Sequence, residues 1–310
     1  HVTRRAGWYL PAGICVLLLL ASPLLAMRLG PQDAGSDPPG STTREAYDLI
    51  SEGFGAGAND PLFAIAEAPR GVTAITAERA ARLFEGLRTA PDVAFVGPPR
   101  IATTGRAAMV TVIPRSGADA PAAPALVRDL RDRVIPPIAR DSGLVVEVGG
   151  VGAAWVDLDD RVGERMAPFI LCVVGIAFLL LMLVFRSPFL AAKAAVLNLL
   201  SIGASYGVLV AVFQWGWGAS LVGVDQTMPV VAFVPLMMFA ILFGLSMGYE
   251  VFILSRLREG YMRCGDTSEA VAVGLARTAR LVTAAAGIMV SVFLAFVLMD
   301  NPVVKMVGLG

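Results

Sequence analysis

The chain has 310 residues, with 25 Lys and Arg balancing 25 Asp and Glu, 56% hydrophobic residues and only 16% charged ones. Soluble domains carry about 25% charged residues, so this composition, with a mean hydropathy of +0.70, excludes an ordinary water-soluble protein. Zero net charge offers no global attraction for nucleic acid, and the lone histidine, His1, excludes a Ser-His or Cys-His nucleophile and a histidine metal site.

No phosphate-binding glycine-lysine loop occurs, so the residues point to no enzyme, no cofactor and no metal. Cys15, Cys172 and Cys264 are too scattered for a disulfide framework. The chain starts at His1 rather than Met and stops at Gly310 directly after a hydrophobic segment, and it is read as a fragment.

In chain order, a short basic lead that includes Arg4 and Arg5 precedes an apolar run over residues 8–27. Its ~20 residues match the ~30 Å of hydrocarbon in a bilayer, and Trp8 and Tyr9 suit an interfacial anchor. A cleaved signal peptide has the same order of regions but an apolar core of only about 7 to 15 residues, so a retained helix is expected.

Residues 28–165 have soluble composition and are expected to form a separate domain. TTREAYDLISEGF and the stretch from Thr76 to Ala90 have helical spacing, whereas Pro61 to Ala68, DVAFVG near Val93, Ala107 to Pro114 and Leu144 to Gly150 are strand candidates. ALVRDLRDRVIPPIA is a further helix, expected to stop at Pro136 and Pro137. The resulting βαββαβ order suggests a ferredoxin-like unit. After it, Asp157, Asp159, Asp160 and Glu164, with Arg161 and Arg165, are read as a solvated helix face rather than a cation site.

Four more spans are expected within residues 166–299, at 167–185, 189–213, 229–254 and 281–299, and the fold class is therefore an α-helical polytopic membrane protein with an α+β domain. The 256–280 connector, with its borders, carries Arg256, Arg258, Arg263, Arg277 and Arg280, while Gln214 to Met228 carries no Lys or Arg. By the positive-inside rule the Arg-rich connector is a cytoplasmic loop and the soluble domain is extracytoplasmic. Residues 300–310 are read as a cut end.

Two polar sets fall inside these spans. Asn198, Ser201 and Ser205, three and four residues apart, form one stripe beside Gly203-x-x-x-Gly207, a pattern that serves helix packing or lines a path. PVVAFVPLMMFAILFGLSMGYEVFILSRLR, from Pro229 to Arg258, carries Ser246, Gly248, Tyr249 and Glu250 near its inner end. An intramembrane carboxylate costs about 3 kcal/mol, which makes such a residue a functional candidate. At 100° per residue, Gly244, Gly248, Phe252 and Ser255 share a face that Tyr249 flanks, while Glu250 lies about 160° from Gly248. Glu250 has no basic residue three or four positions away, and snorkelling toward the cytoplasmic surface explains it as well as a functional role does.

GLSMGYEVFILSRLREGY followed by EAVAVGLARTARLVTAAAGIMVSVFLAFVL closely resembles the second-half signature of the MMPL family, exporters of the resistance-nodulation-division superfamily. AGSDPPGSTTREAYDLISEGFGAGANDPL also resembles the start of that family's second porter domain. The resemblance covers essentially the whole chain and implies helices seven to eleven of a twelve-helix transporter in the plasma (inner) membrane, cut before the last helix. It further implies proton-driven export of lipids or other hydrophobic compounds, with protons, membrane lipids, hydrophobic cargo and the upstream half of the same transporter as partners. Oligomeric state is left open, a homo-oligomer included.

The resemblance also implies a proton relay built on an Asp-Tyr pair. Tyr249 and Phe252 match the family pattern, Glu250 matches a glutamate of less certain role, and Gly248 stands where the family has its aspartate. Three explanations stay open: coupling through the other half alone, a non-coupled lipid-binding or scaffolding protein in which Gly244 and Gly248 pack a helix closely, or a defective gene product.

Overall fold

The computed structural model describes residues 6–69, 74–224 and 226–310, without the side chains of Ala6, Cys264, Thr267, Ser268 and Arg277. His1, Arg4 and Arg5 lie outside the described residues. The chain divides into two units, one of Gly30–Arg161 and one combining the residues up to Leu29 with Val162–Gly310.

The first unit opens with α2 (Thr42–Phe54), which follows α1 (Ala6–Ala21) of the other unit, and Ser41 caps α2 by accepting the Arg44 backbone N–H. Strands β1 (Leu62–Glu67), β2 (Val93–Val96), β3 (Arg100–Ile101), β4 (Ala107–Pro114) and β5 (Val145–Gly149) form one antiparallel sheet in the order β2-β4-β1-β5, with β3 a short extra strand on β4. The two-residue β3 has no sequence counterpart among the expected strands, being too short for any alternation to register.

Period-two burial settles which side of the sheet is covered. Ala108, Val110 and Val112 of β4 and Leu62, Ala64 and Ala66 of β1 point into a core shared with α3 (Ala77–Arg88), which contributes Leu83 and Leu87. Thr76 caps α3 by accepting the Arg79 N–H.

The prolines do not end the next helix. α4 (Ala122–Asp129) passes through a π-helical turn, Leu130–Val134, into α5 (Ile135–Ser142). The wider turn absorbs the missing proline N–H groups and relieves the ring clash with the preceding turn, so Pro136 and Pro137 sit in the first turn of α5, where proline is tolerated.

Nor are the acids of 157–160 simply a solvated face. Arg131 pairs with Asp157 and donates to the Val148 carbonyl at 3.0 Å, and Arg128 pairs with Asp160 at 2.6 Å. The partners come from α4 and the π turn, about 30 residues upstream, so no local pattern announces them. At the start of α6 (Val151–Phe185), the buried Asp60 carboxylate accepts the Gly152 N–H at 2.8 Å, capping the helix from a distant loop. Burial pushes the Asp60 carboxyl above its ordinary value despite that bond.

Among the described residues, five helical stretches are long and apolar enough to cross a membrane: Gly7–Ala26, Val151–Phe185, Pro188–Gln214, Phe233–Arg263 and Thr278–Val297, the second of them starting in the first unit and continuing from Val162 in the second unit. They are α1 (Ala6–Ala21) with a following 3-10 turn, α6, α7 (Pro188–Leu209) with a π turn, α8 (Phe233–Cys264) and α9 (Thr267–Val297). Together with the antiparallel sheet, they make this a multi-pass membrane protein with a small α+β part.

α7 is the central helix, with α1 on one side and α8 on the other. A Cβ at Gly207 would overlap the Leu20 carbonyl oxygen, and one at Gly203 would touch Ala21 at 3.6 Å, so this glycine pair lets the α1 backbone close on α7. Arg186, at φ +52°, ends α6; Ser187 caps α7 by accepting the Leu190 N–H, and Pro188 follows in the first turn. Arg258 of α8 donates to the Val184 carbonyl at 2.7 Å, placing a cation at the α6 C-terminus.

The Arg-rich stretch at 256–280 is not an open loop. α8 runs to Cys264 and α9 begins at Thr267, joined by a tight turn at Gly265 (φ +70°), whose N–H reaches the Tyr261 carbonyl. The charges had suggested a connector, but i,i+3 and i,i+4 pairs of Glu259 with Arg256 and Arg263 suit an exposed helical surface. Residues 302–309 form a further helix, α10 (Pro302–Leu309), whose Lys305 donates to the Val222 and Gly223 carbonyls at 2.9 and 2.6 Å.

Candidate functional site

α8 presents its polar residues on different sides because a straight helix separates neighbours in sequence by 100°. Gly244, Gly248 and Ser255 are exposed, and Cβ atoms built at Gly244 and Gly248 meet nothing within 4 Å. Among the described residues, therefore, no helix packs closely on this glycine pair. Phe252, on the same face, lies under the Arg256 guanidinium at 5.5 Å from the ring centroid. Ser255 bonds the Val251 carbonyl one turn back at 2.7 Å.

Tyr249 and Glu250 are each half-buried, and neither makes a hydrogen bond or ion pair among the described residues. The two therefore share availability for other partners, but they point to different sides of α8. Ser246, just before them, lines an apolar cavity of about 670 Å³ together with Met238 and Leu242 of α8, Met289 and Phe293 of α9 and Val307 of α10. This wall can hold hydrocarbon and offers little to a polar ligand.

The stripe of α7 is divided in the structure. Asn198 is buried, Ser201 is exposed and Ser205 is half-buried, bonding the Ser201 carbonyl at 3.3 Å. The three residues thus do not line one surface. The sequence reading missed Tyr206, whose buried hydroxyl donates to the Pro235 carbonyl and ties α7 to α8. A tyrosine within an apolar run was the available signal, since a buried phenol needs a partner. Pro235 lies far away in sequence, so nothing local named the acceptor.

Compared with known proteins, residues 37–310 match the model of the MMPL family. Membrane protein YdfJ of Bacillus subtilis is 33% identical over 309 residues, covering 100% of this chain and 42% of its own length. The heme uptake protein MmpL11 of Mycobacterium tuberculosis is 33% identical over 317 residues, with 99% of this chain and 32% of the relative covered. The mycolic acid-containing lipids exporter MmpL11 of Mycolicibacterium smegmatis is 32% identical over 313 residues, at 100% and 32% coverage. The chain thus spans about a third to two-fifths of the length of these relatives. A match over most of the chain, on helices that carry the quoted α8 and α9 segments, means that this protein belongs to the MMPL family.

Proposed function

We propose that this chain is part of a proton-motive-force-driven membrane exporter of lipids or other hydrophobic compounds. The observation that carries the reading is family membership across residues 37–310, with a relative named as a lipid exporter. The apolar cavity beside Ser246 supports a hydrophobic cargo or a lipid tail, because its wall offers few polar contacts. A relative of similar identity is named for heme uptake, so outward direction is itself part of the proposal.

In this reading the protein sits in the plasma membrane with the Arg-rich α8–α9 turn in the cytoplasm and the sheet-bearing unit outside, as the charge asymmetry supports. The sheet-bearing unit is a ferredoxin-like porter domain; the strand order β2-β4-β1-β5, antiparallel throughout, supports that assignment. The partners are protons, membrane lipids and the rest of the transporter. Tyr249 and Phe252 belong to the relay face of α8, Gly248 occupies the position of the family aspartate, and Asn198, Ser201 and Ser205 are polar positions of the neighbouring helix.

The open face at Gly244 and Gly248 supports a relay completed by residues outside this chain. A second reading follows from the same glycine: with no ionisable group at residue 248, the protein binds lipid or scaffolds a partner without proton coupling.

Gly248→Asp in the whole protein, reconstituted in vesicles, separates the two. Under the transport reading, proton flux and cargo movement depend on the proton gradient, and the variant changes that dependence. Tight lipid retention that ignores the gradient, in the original protein and in Gly248→Asp alike, removes coupling and leaves the scaffold.

A further inference from the structure

Four hydroxyls in the membrane helices satisfy themselves. Ser205, Ser255, Thr278 and Ser291 each donate to a carbonyl one turn back, at 3.3, 2.7, 2.9 and 2.8 Å, which removes the cost of burying a hydroxyl. Asn198 does not. It is only 4% exposed, and neither its amide oxygen nor its amide nitrogen has a hydrogen-bond partner. Two donors and two acceptor lone pairs are left unused.

Its depth makes this costly. Asn198 lies about 15 Å along α7 from Pro188, roughly half of the ~30 Å hydrocarbon thickness, where neither bulk water nor lipid headgroups can supply the missing bonds. Its surroundings on α8 follow from two contacts. Tyr206 bonds Pro235 at one end of the α7–α8 seam, and Ala194 shares a cluster with Met247 toward the other. This antiparallel register sets Asn198 level with Phe243, whose ring stacks on Phe239, itself edge-on to Phe169 of α6. Aromatic rings at that level offer an amide no strong acceptor.

Glu250 lies two turns along α8 from Phe243, on the same side and about 10 Å toward the helix end. It is half-buried and also makes no hydrogen bond or ion pair among the described residues. An amide and a carboxylate, both without partners, therefore occupy one seam, on the side of α8 away from Gly248.

We propose that the α6–α7–α8 seam is an internal water site, with the Asn198 amide holding water at mid-membrane and Glu250 marking the end from which that water arrives. Water supplies both donors and acceptors, so one ligand satisfies both polar groups, and it needs no charge on the protein to bind. The proposal does not depend on what the protein carries or whether it couples to protons.

The test reads hydration directly. In whole protein carrying Cys15→Ala, Cys172→Ala and Cys264→Ala, single Asn198→Cys and Ala204→Cys variants are exposed to a small charged methanethiosulfonate, which reacts with thiolate in water. Ala204 is 5% exposed and on another face of α7, so it serves as the dry reference. The thiol of Asn198→Cys is expected to react at least tenfold faster than that of Ala204→Cys, and adding Glu250→Leu is expected to cut that advantage at least tenfold.

Equal, slow reaction at both positions overturns the proposal. Asn198→Leu provides a second check without cysteine. Removing a dry, unpartnered amide raises the melting temperature by several degrees and sinks the idea, whereas removing a water-satisfied one leaves it unchanged or lower. Either result leaves the transport reading to be decided separately.

Discussion

The sheet-bearing unit and the membrane unit bury their apolar residues in opposite ways. In the first, Leu83, Leu87, Val110, Val112 and Leu130 are sealed by the unit's own residues, because water punishes each exposed apolar square ångström at about 25 cal/mol. In the second, Leu171, Leu183, Ile288 and Leu298 remain largely exposed, and among the described residues α7 is the span with a large buried share. Hydrocarbon surroundings remove that penalty, so helix association there rests on close backbone approach and hydrogen bonds. Small residues and polar ties therefore decide the membrane unit, while volume decides the other.

The sharpest test is Gly207→Leu. Because a Cβ at 207 overlaps the Leu20 carbonyl oxygen, α1 is expected to leave α7, with loss of folded protein on detergent size exclusion. With both variants made in the 310-residue chain by itself, Gly244→Leu is the matched control, since open space surrounds that Cβ there, and it is expected to leave yield and melting unchanged. Similar losses in both would break the contrast.

In the other unit Leu83→Ala, at a fully buried site, is expected to cost about 2 to 5 kcal/mol in chemical unfolding. A smaller third effect is Arg131→Ala, which strands Asp157 and leaves the Val148 carbonyl without its donor. Both partners are partly exposed, so screening holds the expected loss to about 1 to 2 kcal/mol.

The smallest effect is a pH dependence. The Asp60 carboxyl is raised by burial, so its neutral form favours the fold; that contribution is complete below the unfolded carboxylate pKa and fades as pH rises through the folded one. Asp60→Asn keeps an acceptor for the Gly152 N–H and cannot ionise. Its melting temperature relative to the original protein is therefore expected to be higher at pH 7 than at pH 4. A difference that does not change with pH, or changes the other way, removes the linkage.

The five spans were legible because a membrane demands about 20 consecutive apolar residues, a requirement few side chains can disguise. α2, α3 and β4 were equally legible, since Ser41 and Thr76 announce helix starts and AAMVTVIP alternates at period two. Pro136 and Pro137 misled because their cost can be relieved by a π turn upstream, which no local rule foresees. The candidate site was half legible: helical angles separated Gly248 from Glu250, but not what either faces.

The sequence by itself determined which stretches are long and apolar enough to cross a membrane, where the sheet-bearing unit lies along the chain, and which polar residues interrupt the apolar stretches. Those facts depend on local composition and on the fixed 100° step of a helix. Only the tertiary structure decided that Gly207 is closed upon and Gly248 is open, that Arg131 holds Asp157, and that Asn198 is buried without a partner while Ser205 bonds the Ser201 carbonyl. Each of these depends on a group brought from elsewhere in the chain, and a hydrogen bond or steric contact exists only once both partners share a place in space.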